Sequence, residues 1–554
     1  MWKRLSHTHA AKSTEGSVPV DLSKWLLAIT PIVLLLLLLS VFRWKAPQAG
    51  PLGMFLAAAV AVIFFRTSWE TAAVGMGRGL WDAVFILLVI WPALLLYQVG
   101  VASGAFEGLR RGLSRYSRNH VFLVLAFGWV FVSFMQGVAG FGAPIAIVAP
   151  LLLAIGVRPV YAVVIPLIGH AWASMFGTLG IGWIALLQVV DIQDELATAL
   201  ATAALLAPVT LVSGVTIAWM AGKGPALRLA WPFILIIAVL HGGIQFVIMY
   251  WEPLLSNFLA GAVALVALYP LSRWSRYSEP AHDVKDAPAM RERGGEQEQS
   301  EDGADAAVMG LSWALLPYVV LTVVSVLTLA IGPVEDLLGK WEFGPPLPEV
   351  STGYNVVTEG ENSYSPIAPL THPGFALLVA VLVSWLAFRA KGFFEAQERR
   401  EGRTSFWAEL AANATPASVA IMSFLVLASM MQVSGQTELL AQGVDEVLPP
   451  MVCAFASAYI GILGAFLTSS STSANVLFGQ LQQDIGVGAG LQPSGFLAAQ
   501  GAGSSLGNVF APANIVLGTG TAGIIGQEHQ VLRKTLPWTL AVGALVGLLT
   551  LVLV

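Results

Sequence analysis

Charge is what this sequence most lacks. Of its 554 residues only 11% are Asp, Glu, Lys or Arg, while 56% are hydrophobic, against roughly 25% charged in an ordinary soluble domain. So little charge cannot give such a chain a water-compatible surface, and lipid must be its solvent. Cysteine is nearly absent too. Cys453 stands alone, which excludes an internal disulfide and any cysteine-rich zinc or iron–sulfur site. The phosphate-binding loop pattern and H-E-x-x-H are missing, and no nucleophile-and-base pair or metal-ligand cluster stands out. The sequence therefore argues against an enzyme and against ATP-driven pumping by this chain alone, and it gives no reason to expect a cofactor, a metal or a nucleic-acid partner. The net charge of −5 says little, because in a membrane protein the placement of charge matters more than its total.

What is present is a series of charge-free runs, each as long as the roughly 20 residues a spanning helix needs. Ala83 to Phe106, Leu196 to Gly222, Leu229 to Trp251, Pro253 to Ser272, Ala306 to Val334, Leu410 to Thr437 and Thr535 to Val554 are clear examples. Trp25 to Phe42, Leu52 to Phe65 and Pro373 to Phe388 are slightly shorter. The expected fold is an all-α polytopic membrane protein with about 12 to 14 membrane segments, multi-pass in the plasma membrane (a bacterial inner membrane). The first run follows a basic tail, as a secretory signal would. No small-residue cleavage site follows it, and Arg43 and Lys45 close it, so it reads as a retained span.

Polar interruptions divide the chain. Residues 1–24 form a polar tail and 25–271 a first transmembrane half. Residues 272–308 are rich in charge, Pro, Gly, Gln and Ser and read as a disordered linker. A second half, 309–554, includes the Pro- and Gly-rich stretch 332–372, which carries six acidic residues against Lys340 alone. Lys391 to Arg403 is basic, and basic loops stay in the cytoplasm. This places 332–372 outside and the linker inside, with the cluster Arg110, Arg111, Arg115 and Arg118 also cytoplasmic.

Two regions are too long and too uncharged to be simple spans. Val121 to Val157 has 37 residues without charge, about 55 Å as one helix against a hydrocarbon core of roughly 30 Å. Val447 to Gln483 repeats that length. Each is interrupted by small or hydroxylated residues, Gln136-Gly-Val-Ala-Gly-Phe-Gly-Ala-Pro144 and Thr468-Ser-Ser-Ser-Thr-Ser-Ala-Asn475. A second small-residue segment follows in each half, His170-Ala-Trp-Ala-Ser-Met-Phe-Gly177 and Gln500-Gly-Ala-Gly-Ser-Ser-Leu-Gly507. Gln136 precedes His170 by 34 residues and Thr468 precedes Gln500 by 32, the spacing of an internal repeat.

Broken backbone at membrane depth is tolerated only where protein or a water-filled cavity satisfies the freed N–H and C=O groups. Paired breaks of this kind form substrate sites in transporters, where helix N-termini face anionic groups. Gly137, Gly140 and Gly142 would allow close backbone approach, and Ser470, Ser471, Thr472 and Asn475 would supply hydrogen bonds. Small residues also serve plain helix packing, which is the reading preferred for Gly461 and Gly464. His170 admits two readings, a site residue or a buried hydrogen-bonded histidine. His241 reads as structural, and Arg66, Asp82 and Glu107, at run edges, as interfacial.

These segments resemble the lactate permease family. The resemblance rests on Gly137-Val-Ala-Gly-Phe-Gly-Ala-Pro144, Arg158-Pro-Val-Tyr-Ala162, Phe176-Gly-Thr-Leu-Gly-Ile181 and Gly464-Ala-Phe-Leu-Thr-Ser-Ser-Ser-Thr-Ser-Ala-Asn475, with Trp231-Pro232 and Gly242-Gly243. It implies two inverted repeats, each with a re-entrant hairpin and a discontinuous helix, and import of a small monocarboxylate such as lactate or glycolate with a coupling proton. The substrate-binding set it suggests is Gln136, Gly137, Gly140, Phe141, Gly142, His170, Thr468, Ser470, Ser471, Thr472, Asn475, Gln500 and Asn508. A homodimer in membrane lipid is a further implication. The chain departs from the family pattern at Gln136, Ser471 and Asn508, where Glu, Asp and Lys are usual, and at His170 and Gln500, where Asn is usual. With both acids gone, His170 is the proton-coupling candidate. Coupling to sodium, no coupling, another small organic anion, and a passive channel or transport-inactive sensor stay open.

Overall fold

The computed structural model describes residues 21–114, 117–140, 142–281, 284, 287–290, 309–354, 356–401 and 405–554. The expected site residue Phe141, Arg115 of the basic cluster, most of the polar tail and much of the linker lie outside the described residues. Ten helices in the described residues are long and apolar enough to cross a membrane. One of them, Glu195–Met249, has 55 residues and would run about 80 Å if straight. It breaks at Gly222 and Lys223, where Lys223 sits at φ 51°, so it supplies two crossings, as its two charge-free runs require. A further pair, Leu316–Ala330 and Gly332–Leu338, bends by 82°.

The two long uncharged regions fold alike. In the first half, α1 (His120–Val138) is followed by α2 (Ala143–Ala154), α3 (Pro159–Gly169) and α4 (Gly177–Val189). In the second, α5 (Pro450–Thr468) is followed by α6 (Ser471–Gly488), α7 (Pro493–Gly507) and α8 (Pro512–Thr521). Local chemistry sets these boundaries. Asn119 caps α1 by accepting from the N–H groups of Val121 and Phe122, each at 3.1 Å. Proline opens α3, α5, α7 and α8 at the first helical position, where its missing N–H costs nothing. Helices α2, α3 and α4 have 12, 11 and 13 residues, too few to span alone.

Contacts sort the chain ends of these helices between the two ends of the bundle. Helix Ala105–Ser114 meets Met309, and Trp313 meets Phe393, with ring centroids 6.2 Å apart. The start of α1 is at this end, since Ser117 Oγ donates to Tyr277 O and Asn119 Nδ2 to Glu279 O. So is the end of α2, through the Val157–Met290 bridge. At the other end lies the stretch 332–372. It is folded: Val350–Ser351 pairs antiparallel with Val357–Thr358, and bridges join Phe343 to Ile367 and Leu347 to Glu361. Gln188 at the end of α4 binds Ser365 of that stretch at 2.9 Å, and Gln483 near the end of α6 donates to Asp191 O at 3.1 Å. Gly435, which precedes α5 by way of the helix Gln436–Val447, lies against Val356 there.

Two expectations change. Asp82 is not interfacial but 2% exposed within the helix Trp69–Ala102, because that helix starts 14 residues before the charge-free run does. The linker does not begin as free chain either. Pro232 has no N–H, so the carbonyl of Arg228 loses its helical partner. Arg276 Nη2 donates to that carbonyl, while Tyr277 Oη accepts from Phe233 N at 3.0 Å and donates to Leu229 O at 3.2 Å. The linker's first residues thus repair a helix in the first half, and Tyr277 is 1% exposed.

Candidate functional site

The breaks between α1 and α2, α3 and α4, α5 and α6, and α7 and α8 converge on one cavity of about 400 Å³, its open mouth included. Gln136, Gly140 and Gly142 line it from the first break and His170, Ser174, Thr178 and Ile181 from the second. Ser469, Ser470, Ser471 and Thr472 come from the third, and Asn508 and Asn514 from the fourth. Apart from His170, no lining side chain among the described residues is titratable.

Two helix N-termini face this space. Helix α6 is capped by Ser470, whose Oγ accepts from Ser473 N at 3.2 Å. The N–H groups of Ser471 and Thr472 belong to the first turn, which helix geometry leaves without intrahelical partners. Helix α2 is preceded by Gly142 at φ 83° with no side-chain cap; Ala143 N donates to Gly140 O at 3.1 Å, Ile145 N to Gly142 O at 3.0 Å and Pro144 has no N–H, so this end offers its dipole but no free first-turn donor. Each N-terminus carries the equivalent of about half a positive charge. The cavity is electropositive without a formal charge.

Strain marks the same space. Thr178 and Leu179 sit at φ 49° and 51°, and Ser469 at φ 56°, a region costly for residues with a side chain and most of all for a β-branched one. Thr178 and Ser469 both line the cavity. Ser469 Oγ also accepts from Ala513 N at 3.2 Å, tying the third break to the start of α8. Asn514 Nδ2 donates to Asn508 O at 3.0 Å, and Asn508 Oδ1 is buried with no hydrogen-bond partner. His170 Nδ1 lies 2.6 Å from Pro166 O. Facing a carbonyl, that nitrogen must donate, which leaves Nε2 as the acceptor of the neutral ring.

Eight of the thirteen expected site residues therefore line the cavity: Gln136, Gly140, Gly142, His170, Ser470, Ser471, Thr472 and Asn508. Four others lie elsewhere. A Cβ on Gly137 would fall 2.9 Å from Phe258 Cα, so this glycine serves packing. Thr468 Oγ1 lies 2.9 Å from both Gly464 O and Ser470 O and shapes the end of α5. Asn475 and Gln500, both 0% exposed, form a buried network behind the site. In it Gln500 Nε2 donates to Ala474 O at 3.2 Å and Asn475 Oδ1 at 3.4 Å, Gln482 Nε2 donates to Gln500 Oε1 at 3.2 Å, and Asn475 Nδ2 donates to Gly182 O at 3.0 Å. Sequence reasoning missed Ser174, Thr178, Ile181, Ser469 and Asn514. The repeat itself held one signal: Thr178 follows His170 by eight residues, as Asn508 follows Gln500. His241 is buried against Asn257, Nε2 to Oδ1 3.1 Å, outside the cavity lining.

A mainly helical chain whose broken helices meet at an uncharged polar cavity has the build of a multi-pass membrane transporter. Its sequence matches the L-lactate permease family model over residues 24–554, and the chain belongs to that family. It is 26% identical to the glycolate permease GlcA of Escherichia coli K12 over 556 residues, and 27% identical to the L-lactate permease of Bacillus subtilis 168 over 561 residues, with 95% of each chain covered in both cases. The solved structure of the Alcanivorax borkumensis YdaH transporter superposes with a TM-score of 0.40 at 15% identity over 86% of each chain, too distant a likeness to bear on architecture. Family membership and the apolar helices make this a multi-pass integral protein of the plasma membrane, and a transporter rather than an enzyme.

Proposed function

We propose that the chain imports a small monocarboxylate such as lactate or glycolate through this cavity, with the anion held by the N-termini of α2 and α6. The observation that carries the reading is the convergence of two helix N-termini on a neutral, hydroxyl- and amide-rich space. Each N-terminus contributes up to about 2 kcal/mol toward a carboxylate in a partly buried geometry. Ser471, Thr472, Thr178 and the Asn508 amide supply donors for the carboxylate and for a 2-hydroxyl group.

The contacts at the two ends of the bundle support an inverted pair of repeats. The α1–α2 hairpin starts and finishes at the linker end, and the α5–α6 hairpin at the end of the 332–372 stretch. Both hairpins would then be re-entrant, with α3–α4 and α7–α8 as discontinuous crossing helices. His170 links proton to anion. Its neutral ring offers the cavity an acceptor, which repels a carboxylate, and protonation turns Nε2 into a donor.

A second reading, another small organic anion moved with sodium or without coupling, is favoured by the absence of any carboxylate from the lining. Uptake of labelled L-lactate and glycolate into proteoliposomes, with proton and sodium gradients imposed separately, decides between them. Saturable accumulation driven by protons supports the first. Sodium-driven accumulation, or saturable uptake that no gradient drives, supports the second. No uptake under any gradient by folded protein removes lactate and glycolate as substrates.

A further inference from the structure

We infer that Asp82 is a proton-binding site separate from the transport cavity, holding its proton while the 332–372 stretch is docked. Asp82 lies about 20 Å along its helix from Trp69, is 2% exposed, and is absent from the cavity lining. Its Oδ2 accepts from Tyr364 Oη at 2.9 Å, whereas Oδ1 is buried without a partner. An ionised carboxylate accepts at both oxygens, and burying that charge with one oxygen bare is far costlier than burying the neutral acid.

The surrounding charges do not compensate it. Arg78, one turn earlier, pairs with Glu361 at 3.3 Å, donates to Glu359 O at 2.9 Å and stacks over the Tyr364 ring with 4.7 Å to its centroid. Glu361 offsets part of the Arg78 charge, and Arg78 makes its ion pair with Glu361 rather than with Asp82. The other packed elements add no counter-ion. Helix α4 carries no titratable residue, and the His372 ring meets Phe85 rather than Asp82, at 4.7 Å. Glu409 of the helix Phe406–Val433 binds Gln98, far down the helix from Asp82. Tyr364, whose phenol burial pushes well above its ordinary range, remains a donor throughout.

The position gives the proton a mechanical consequence. Tyr364 belongs to the docked stretch, and its neighbour Ser365 holds Gln188 of α4, the helix whose first turn reaches the cavity through Thr178. Undocking would bring water to Asp82 and favour loss of its proton, so by linkage deprotonation favours undocking.

The test does not depend on which anion is carried. Infrared difference spectra of the reconstituted full chain, titrated over pH, should show a protonated-carboxyl C=O band that Asp82→Asn removes. Tyr364→Phe deletes a donor to the ionised form, so it should move the band's midpoint to higher pH by about one unit, a tenfold gain in proton affinity. Hydrogen exchange of the 341–368 peptides should rise above the midpoint in the wild type and stay flat in Asp82→Asn. A band unchanged in Asp82→Asn overturns the assignment. If that variant does not fold, an unmoved midpoint in Tyr364→Phe overturns it instead.

Discussion

Replacing Gly142 with alanine separates two costs that the structure places on one residue. The first is conformational: at φ 83° an L-residue bears about 1–2 kcal/mol that glycine does not. The second is steric, because the new Cβ would fall 2.4 Å from Leu517 Cδ2 on α8. Overpacking of this kind costs about 1–3 kcal/mol. The clash is with the far end of a half-exposed side chain that can yield, so the lower part of that range applies. Together the two give about 2–3 kcal/mol. The measurement is thermal unfolding of the purified protein in detergent, followed by intrinsic tryptophan fluorescence, for Gly142→Ala, Leu517→Ala and the double variant. Leu517→Ala should recover only the steric share, leaving the conformational 1–2 kcal/mol in place. Gly142→Ala as stable as the wild type would refute the reasoning outright. Full rescue in the double variant would show that φ contributes nothing and that the start of α2 is not held in a glycine-only geometry.

Gln500→Leu should lower stability by about 1–3 kcal/mol, since it leaves Asn475 Oδ1 unpaired and takes an acceptor from Gln482 Nε2 in a buried network, while KM for uptake changes less than about threefold; a large KM change in a stable variant would return Gln500 to the site. His170→Asn should make KM independent of pH, whereas the wild-type KM falls as pH falls, because protonation creates the donor to the anion; an unchanged KM profile would discard His170 as the titrating group. Tyr277→Phe removes the hydroxyl set between Phe233 N and Leu229 O and should cost about 1–3 kcal/mol, read as a lower midpoint of thermal unfolding. A variant as stable as the wild type would mean that the helix closes that gap unaided.

The sequence made the membrane class and the positions of the breaks legible, because charge-free length and clusters of Gly, Pro and Ser are one-dimensional signals. It could not show which side of a helix turns to the cavity. Ser471 and Thr472 lie in the first turn of α6 and reach the space, while Asn475, one turn on, points to α4 and α7. The contribution of Ser469 depends on a left-handed backbone that no propensity announces. Asp82 was misplaced because the edge of an uncharged run is not the edge of a helix. The packed start of the linker was hidden by its composition, although Pro232 in the preceding helix signalled a carbonyl in need of a donor.

The neutral lining has a consequence for selectivity by valence. Two helix ends together offset about one elementary charge. A solute with a single negative charge is matched, and one with two arrives with the second uncompensated in a place where bare charge is expensive. While His170 is neutral, the cavity should therefore admit monoanions and turn away dicarboxylates of similar size, a preference that protonation of the ring would relax.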